Sequence, residues 1–283
     1  MGALIPSHTK TLINGISEDV ISFRDRGFQY GDGLFETLAV ENGDVKNWEL
    51  HWNRLCAGCE RLFLPEPEKL LILSEIDHVV AGVGKEIVKI IISRGLGERG
   101  YGFKVVSPTR VVSAYQWPDL RKENATDGVE LFVCETRIAR QPALAGIKHL
   151  NRLENILARH EWQSGQYAEG IMQDTENNVI EGTMSNLFMV KNNKLQTPDL
   201  SYCGVEGVIR QKILKIARDE EIELEITNIT LNELMQADEV FVCNSIIDIW
   251  PVNKIGQATF SVLSNQNKSS SITSFLQQNL VNQ

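Results

Sequence analysis

The chain has 283 residues, is 42% hydrophobic and 23% charged, and carries a formal net charge of −9. That length and balance bury a sizeable core, in one large domain or two modest ones, and exclude a disordered or fibrous class. The acidic balance lacks the positive footprint of a nucleic-acid binder, so the expected partner is a small molecule.

Residues 1–10 show no basic region followed by an apolar stretch, and no run reaches the roughly 20 apolar residues that span a bilayer. The reading is therefore cytoplasmic, with no membrane partner. From Asp32 onward, Gly33-Leu-Phe-Glu-Thr-Leu-Ala-Val alternates, turns at Glu41-Asn-Gly-Asp44 and returns over residues 45–48, the pattern of a hairpin. Residues 49–64 then space Leu50, Leu55, Cys59, Leu62 and Phe63 as a helix does, with Arg54 in its N-terminal half and Pro65 and Pro67 as its terminators. A second helix is predicted over 68–80 and strands over 87–92 and 109–115, with a glycine-rich stretch at 95–102 between the strands.

The polar residues 118–127 break both periodicities and read as a linker between a small N-terminal α+β domain, 1–117, and a larger domain, 128–283. In the second part, a strand is expected over 129–138, a loop to Ile147 and a helix over 151–163. Meandering strands follow, with turns at Glu176-Asn-Asn178 and Lys191-Asn-Asn-Lys194. A helix starts near Gly207, short strands cover 222–226, 239–243 and 247–252, and a closing helix covers 272–280.

Two motifs invite readings that their contexts refuse. Gly95, Gly97 and Gly100 spell G-x-G-x-x-G, but the residues that follow do not open a helix, so a dinucleotide would lack the helix N-terminus it needs. Cys56 and Cys59 form a lone CxxC in mid-helix without a second ligand pair for zinc. With Cys134, Cys203 and Cys243 they read as reduced core thiols, and no disulfide framework is proposed. No G-x-S-x-G elbow occurs, and His8, His51, His78, His149 and His160 are not grouped as metal ligands, so no metal is expected.

Pyridoxal phosphate chemistry needs a lysine, an acid to keep the pyridine nitrogen protonated, and a cup for a dianion. Four segments supply candidates in order: Phe28-Gln-Tyr-Gly-Asp-Gly-Leu-Phe-Glu-Thr37, Ser93-Arg-Gly-Leu-Gly-Glu-Arg-Gly-Tyr101, Gly146-Ile-Lys-His-Leu-Asn-Arg-Leu-Glu-Asn155 and Val179-Ile-Glu-Gly-Thr-Met-Ser-Asn-Leu-Phe188. Through these segments the chain resembles the class IV pyridoxal phosphate-dependent aminotransferase superfamily, in its aminodeoxychorismate lyase branch, from about Leu12 to Val252.

The resemblance implies an α+β, two-domain fold type IV enzyme of the D-amino acid aminotransferase kind. It would have a small α/β N-terminal domain and a larger C-terminal domain with a β-barrel-like core. Lys148 would be the Schiff-base lysine and proton shuttle, and Glu181 would face the pyridine nitrogen. The phosphate cup would come from Arg54, the amides of Val208 and Ile209 at a helix start, and Asn244 and Ser245 after a strand. His149, Asn151 and Arg152, together with Arg94, Arg99 and Tyr101, resemble the lyase pattern, and the four named residues Arg94, Arg99, Tyr101 and Arg152 would anchor a substrate bearing two carboxylates. Glu36 departs from some lyases and matches transaminases of the superfamily.

The implied reaction converts 4-amino-4-deoxychorismate to 4-aminobenzoate and pyruvate, a step of folate biosynthesis, in a homodimer with its site between the two domains of a subunit. A D-amino acid or branched-chain transaminase shares the cofactor site and stays open, as does a non-catalytic metabolite-binding homologue.

Overall fold

A computed structural model of the chain describes residues 10–103, 107–163, 165–260, 262 and 271–281. The described residues divide into two compact units: those within 1–119 and 147–151, and those within 120–146 and 152–283. The division is not a single cut in the linker, because the short segment carrying Lys148 belongs to the first unit.

The first unit runs β1 (Lys10–Ile13), β2 (Ile16–Ser17), α1 (Arg26–Tyr30), β3 (Gly33–Glu41), β4 (Asp44–Val45), α2 (Trp48–Arg61), α3 (Lys69–Val79), β5 (Lys85–Ser93) and β6 (Thr109–Gln116). Its strands form one antiparallel sheet in the order β2-β1-β6-β5-β3-β4. The expected hairpin forms because Asn42 and Gly43 both take positive φ, 52° and 88°, which matches the twist of the flanking strands. One face of β3, β5 and β6 buries Leu34, Leu38, Val88, Ile90, Ile92 and Val112, and α2 and α3 cover it with Leu55, Cys59, Ile72 and Ile76.

Helix α2 ends earlier than the prolines suggested. Phe63 adopts φ 54° and the Leu64 amide donates back to the Cys59 carbonyl at 2.8 Å, a left-handed closure that stops the helix after Arg61. The five-residue α1 was not expected from periodicity, being too short to show one. The Asp25 carboxylate caps it through the Gly27 amide at 2.8 Å.

The second unit holds a 3-10 turn (Lys122–Ala125), β7 (Val129–Ile138), α4 (Leu153–His160), β8 (Glu169–Asp174), β9 (Asn178–Gly182), β10 (Asn186–Lys191) and β11 (Lys194–Pro198). It continues with α5 (Val208–Asp219), β12 (Leu224–Thr227), β13 (Ile229–Thr230), α6 (Leu231–Met235), β14 (Glu239–Asn244), β15 (Asp248–Ile255), β16 (Ala258–Thr259) and α7 (Ile272–Val281). The sheet order is β12-β11-β10-β14-β15-β7-β8-β9-β13, with β16 on β15. Because β9 also packs on β10 and β11, the sheet curls back into a nearly closed barrel, as the resemblance implied.

Val129, Leu131, Ile171, Leu187, Val242 and Val252 fill one side of that sheet. On the other, α5 and α7 pack Ile209, Ile213, Ile216 and Leu276 against Phe188 and Phe241, whose rings stack at 5.0 Å. The helix expected over 151–163 is shorter, Leu153–His160, because residues 147–151 are drawn off as an extended segment. Among the described residues no helix is long and apolar enough to cross a membrane.

Candidate active site

Lys148 is placed by backbone pairing rather than by a helix. The Phe35 amide donates to the Lys148 carbonyl at 2.9 Å and the Leu150 amide to the Gly33 carbonyl at 3.0 Å, so residues 148–150 lie antiparallel to the start of β3. Gly33 permits that approach: a Cβ there would lie 2.4 Å from the Ile92 carbonyl oxygen and 3.0 Å from Leu150. The Lys148 ammonium then stands over the Phe35 ring, 4.4 Å from its centroid, and Lys89 stands 5.1 Å from the same centroid.

The neighbouring residue of β3, Glu36, points to the opposite, covered face. Its side chain lies between Leu34 and Leu38 in the alternation and is 1% exposed. Arg54 of α2 meets it edge-on, with Nε donating to Oε1 at 2.8 Å and Nη2 to Oε2 at 2.5 Å, while His51 Nδ1 lies 2.7 Å from Oε2. Burial opposes the Glu36 charge, but the Arg54 guanidinium and the hydrogen bonds from Arg54 and His51 outweigh it and hold the carboxyl at about 2. Burial pushes His51 below the ordinary imidazole range, aided by the Arg54 and Lys148 cations and opposed by Glu36.

In the second unit Glu181 sits on β9, 4% exposed, and its Oε2 accepts the Val205 amide at 2.7 Å. The Val205 carbonyl accepts from Asn186 Nδ2 at 2.8 Å, so Val205 is gripped by residues on two strands. Gly207, the N-cap of α5, offers no side chain to the first turn, which contains no acidic residue, so the amides of Val208 and Ile209 present a helix N-terminus suited to an anion. A Cβ at Gly207 would lie 1.9 Å from Asn186 Oδ1, so any side chain there would force Asn186 to shift.

The turn between Glu181 and Asn186 is set by a residue the sequence reading did not single out. The Glu169 carboxylate, 4% exposed, accepts from the amides of Gly170, Thr183 and Met184 at 2.8, 3.0 and 3.0 Å and from the hydroxyls of Thr183 and Ser185 at 2.5 and 2.8 Å. Its signal in the sequence is an acid at the head of the otherwise apolar Gly170-Ile-Met, as Glu36 is an acid in the apolar register of β3.

The remaining sequence candidates divide. Asn244 ends β14, with its Oδ1 accepting the Ile246 and Ile247 amides at 2.8 and 3.0 Å and its Nδ2 donating to the Met184 carbonyl at 3.1 Å. These bonds build the turn that contains Ser245. Arg152 is the N-cap residue of α4 and half-buried. Arg99 and Tyr101 are exposed, on a loop that Arg26 braces through the Gly100 carbonyl at 2.8 Å. His149 follows Lys148 in the bridge to Leu34, and Asn151 Nδ2 donates to the Gly31 carbonyl at 2.9 Å.

Arg94, expected to anchor substrate, is tied into the fold. It is 5% exposed, and its guanidinium holds Asp32 through Nε and Nη2 at 2.8 and 3.0 Å. It also donates to the Phe63 and Leu62 carbonyls at the end of α2, at 3.1 and 2.7 Å, and lies over the Phe103 ring, 3.8 Å from its centroid. A cation on orphaned carbonyls at a helix C-terminus is a structural cap. The loop after β5 that carries Gly95, Gly97 and Gly100 opens no helix among the described residues, and burial raises the Cys59 thiol to about 12.

A family model described as amino-transferase class IV matches residues 33–255. The chain is 38% identical to aminodeoxychorismate lyase of Vibrio harveyi over 244 residues, 86% of this chain and 90% of that protein. It is 30% identical to a D-alanine aminotransferase of Staphylococcus aureus over 250 residues, 84% of this chain and 85% of that one. The crystal structure of 4-amino-4-deoxychorismate lyase from Pseudomonas aeruginosa superposes with a TM-score of 0.89 at 41% identity, covering 96% of this chain and 98% of that chain.

Proposed function

The chain belongs to the amino-transferase class IV family, and from that premise we propose that it is a pyridoxal 5'-phosphate-dependent lyase converting 4-amino-4-deoxychorismate to 4-aminobenzoate and pyruvate. What favours a lyase over a transaminase is the margin of likeness: 38% and 41% identity to two lyases over nearly their full lengths, against 30% to the D-alanine aminotransferase. The donor set fits the cofactor. An uncapped helix start free of acids and a fork-shaped guanidinium suit a phosphate, and a buried carboxylate oriented by the Val205 amide suits a pyridinium.

In this reading Arg54, Val208, Ile209 and Ser245 hold the phosphate, with Asn244 shaping the turn, and Glu181 lies against the ring nitrogen. When bound, pyridoxal phosphate supplies an electron sink for the carbon bearing the substrate's amino group. Lys148 Nζ is the catalytic base: it takes the proton from that carbon and delivers one to the departing enolpyruvyl fragment, and the ring's aromatisation drives the departure. The atoms of the substrate divide between 4-aminobenzoate and pyruvate without water, oxidant or a second keto acid. Arg99, Tyr101 and Arg152 bind the substrate's carboxylates. A cytoplasmic homodimer goes with this assignment.

The test is product analysis on substrate with no keto acid added. Equimolar 4-aminobenzoate and pyruvate are expected. Conversion of D-alanine or branched-chain amino acids only when a keto acid is supplied, with no 4-aminobenzoate formed, would make the protein a transaminase instead.

A further inference from the structure

Glu36 occupies a position that the β3 alternation reserves for an apolar side chain, between Leu34 and Leu38, both buried. As a device for stability this is a poor choice. Taking an ion pair out of water costs about as much as the pair returns, and apolar replacements of similar volume often do as well. The geometry instead shows what an apolar residue could not do.

An ionised carboxylate only accepts hydrogen bonds, so the hydrogen between His51 and Glu36 is on His51 Nδ1, and a neutral imidazole keeps its lone pair on Nε2. The same carboxylate takes Nε and Nη2 of Arg54 along one edge, which fixes the plane of the guanidinium as well as its place. Both are referenced to β3. The residue before Glu36 in that strand, Phe35, binds the Lys148 carbonyl through its amide and meets the Lys148 ammonium with its ring. Two consecutive residues of one strand thus contact the arginine and the lysine.

We propose that Glu36 is a positioning residue for the cofactor, orienting Arg54 toward the phosphate and selecting the His51 tautomer, so that strand β3 fixes phosphate-binding and Schiff-base groups together. The proposal rests on the assignment of Arg54 and Lys148 to pyridoxal phosphate. It makes Glu36 act on the phosphate through Arg54.

The experiment compares binding of pyridoxal 5'-phosphate and of pyridoxal, which lacks the phosphate, to the apo forms of wild type, Glu36→Gln and Glu36→Asp, with the 31P resonance of the bound phosphate recorded for each holo form. An amide cannot accept along both guanidinium donors and His51 together, and a side chain one methylene shorter keeps the charge and the fold but loses the edge-on register. Both variants should weaken the phosphorylated ligand by about tenfold or more, the effect typical of removing an orienting partner. They should shift the 31P resonance and leave pyridoxal affinity within about threefold. Equal losses for both ligands, or no loss for either, would overturn the proposal and leave Glu36 a structural ion pair. A wild-type protein that binds neither ligand would instead overturn the cofactor assignment, and the proposal with it.

Discussion

Glu36 and Glu169 are buried to a similar degree, 1% and 4% exposed, yet the chain compensates them by opposite means. Glu36 faces a guanidinium and an imidazole, long side chains from a helix across the sheet. Glu169 faces amides and hydroxyls from its own residue's neighbour and from a turn, with no cation among its hydrogen-bond donors in the described residues. The difference teaches what each carboxylate controls. Charged partners on flexible stems are oriented by the acid, whereas neutral backbone donors are bent into a turn by it. The first arrangement sets side chains and the second sets the backbone between Glu181 and Asn186.

The largest effect expected from breaking this contrast is Glu36→Ala, which strands a buried Arg54 and should cost about 4 kcal/mol of unfolding free energy, read by urea denaturation. Glu169→Ala strands neutral donors that water can partly reach, and about 3 kcal/mol is expected from several unmet donors. A Glu169 loss exceeding that of Glu36 would reverse the account of which acid faces the dearer partners.

Acid titration sharpens the same contrast. The folded-state value of Glu36, about 2, lies below its ordinary 4.5, so folding favours the ionised form. That contribution is whole above pH 4.5 and is lost as pH falls through about 2. Wild type should therefore lose more stability across that window than Glu36→Gln does, and equal slopes would contradict the ion-pair description.

Smaller effects separate Arg94 from Arg99. Arg94→Ala removes a helix cap and the Asp32 pairing, and should cost about 2 kcal/mol. Arg99→Ala, on an exposed loop, should change stability by less than about 0.5 kcal/mol while raising KM for the substrate. A KM change confined to the Arg94 variant would return Arg94 to the substrate and withdraw Arg99.

Much of the scaffold of the candidate site was legible in the sequence because its signals are local. The Asn42-Gly43 turn, the alternation of β3 and the glycine before α5 are each readable within a few residues, and Lys148 and Glu181 were carried by family-like segments. What was not legible depends on pairings between distant parts of the chain. Nothing near Arg94 says that it caps α2, because the carbonyls it binds lie at residues 62 and 63. Nothing near Lys148 says that it pairs with β3 and so leaves α4 to begin at Leu153. Glu36 could have been found by asking which acids fall in apolar register, since β3 is otherwise apolar on that face, and Glu169 by its place at the head of Gly170-Ile-Met.

The central claim is that the Lys148 amine moves the proton, and the most direct measurement is turnover of 4-amino-4-deoxychorismate by wild type and Lys148→Ala, both loaded with cofactor and without keto acid. Wild type should release many equivalents of 4-aminobenzoate and pyruvate per site, with the variant slowed by at least about a hundredfold, the scale of a lost general base. A variant that turns over at the wild-type rate would contradict the account.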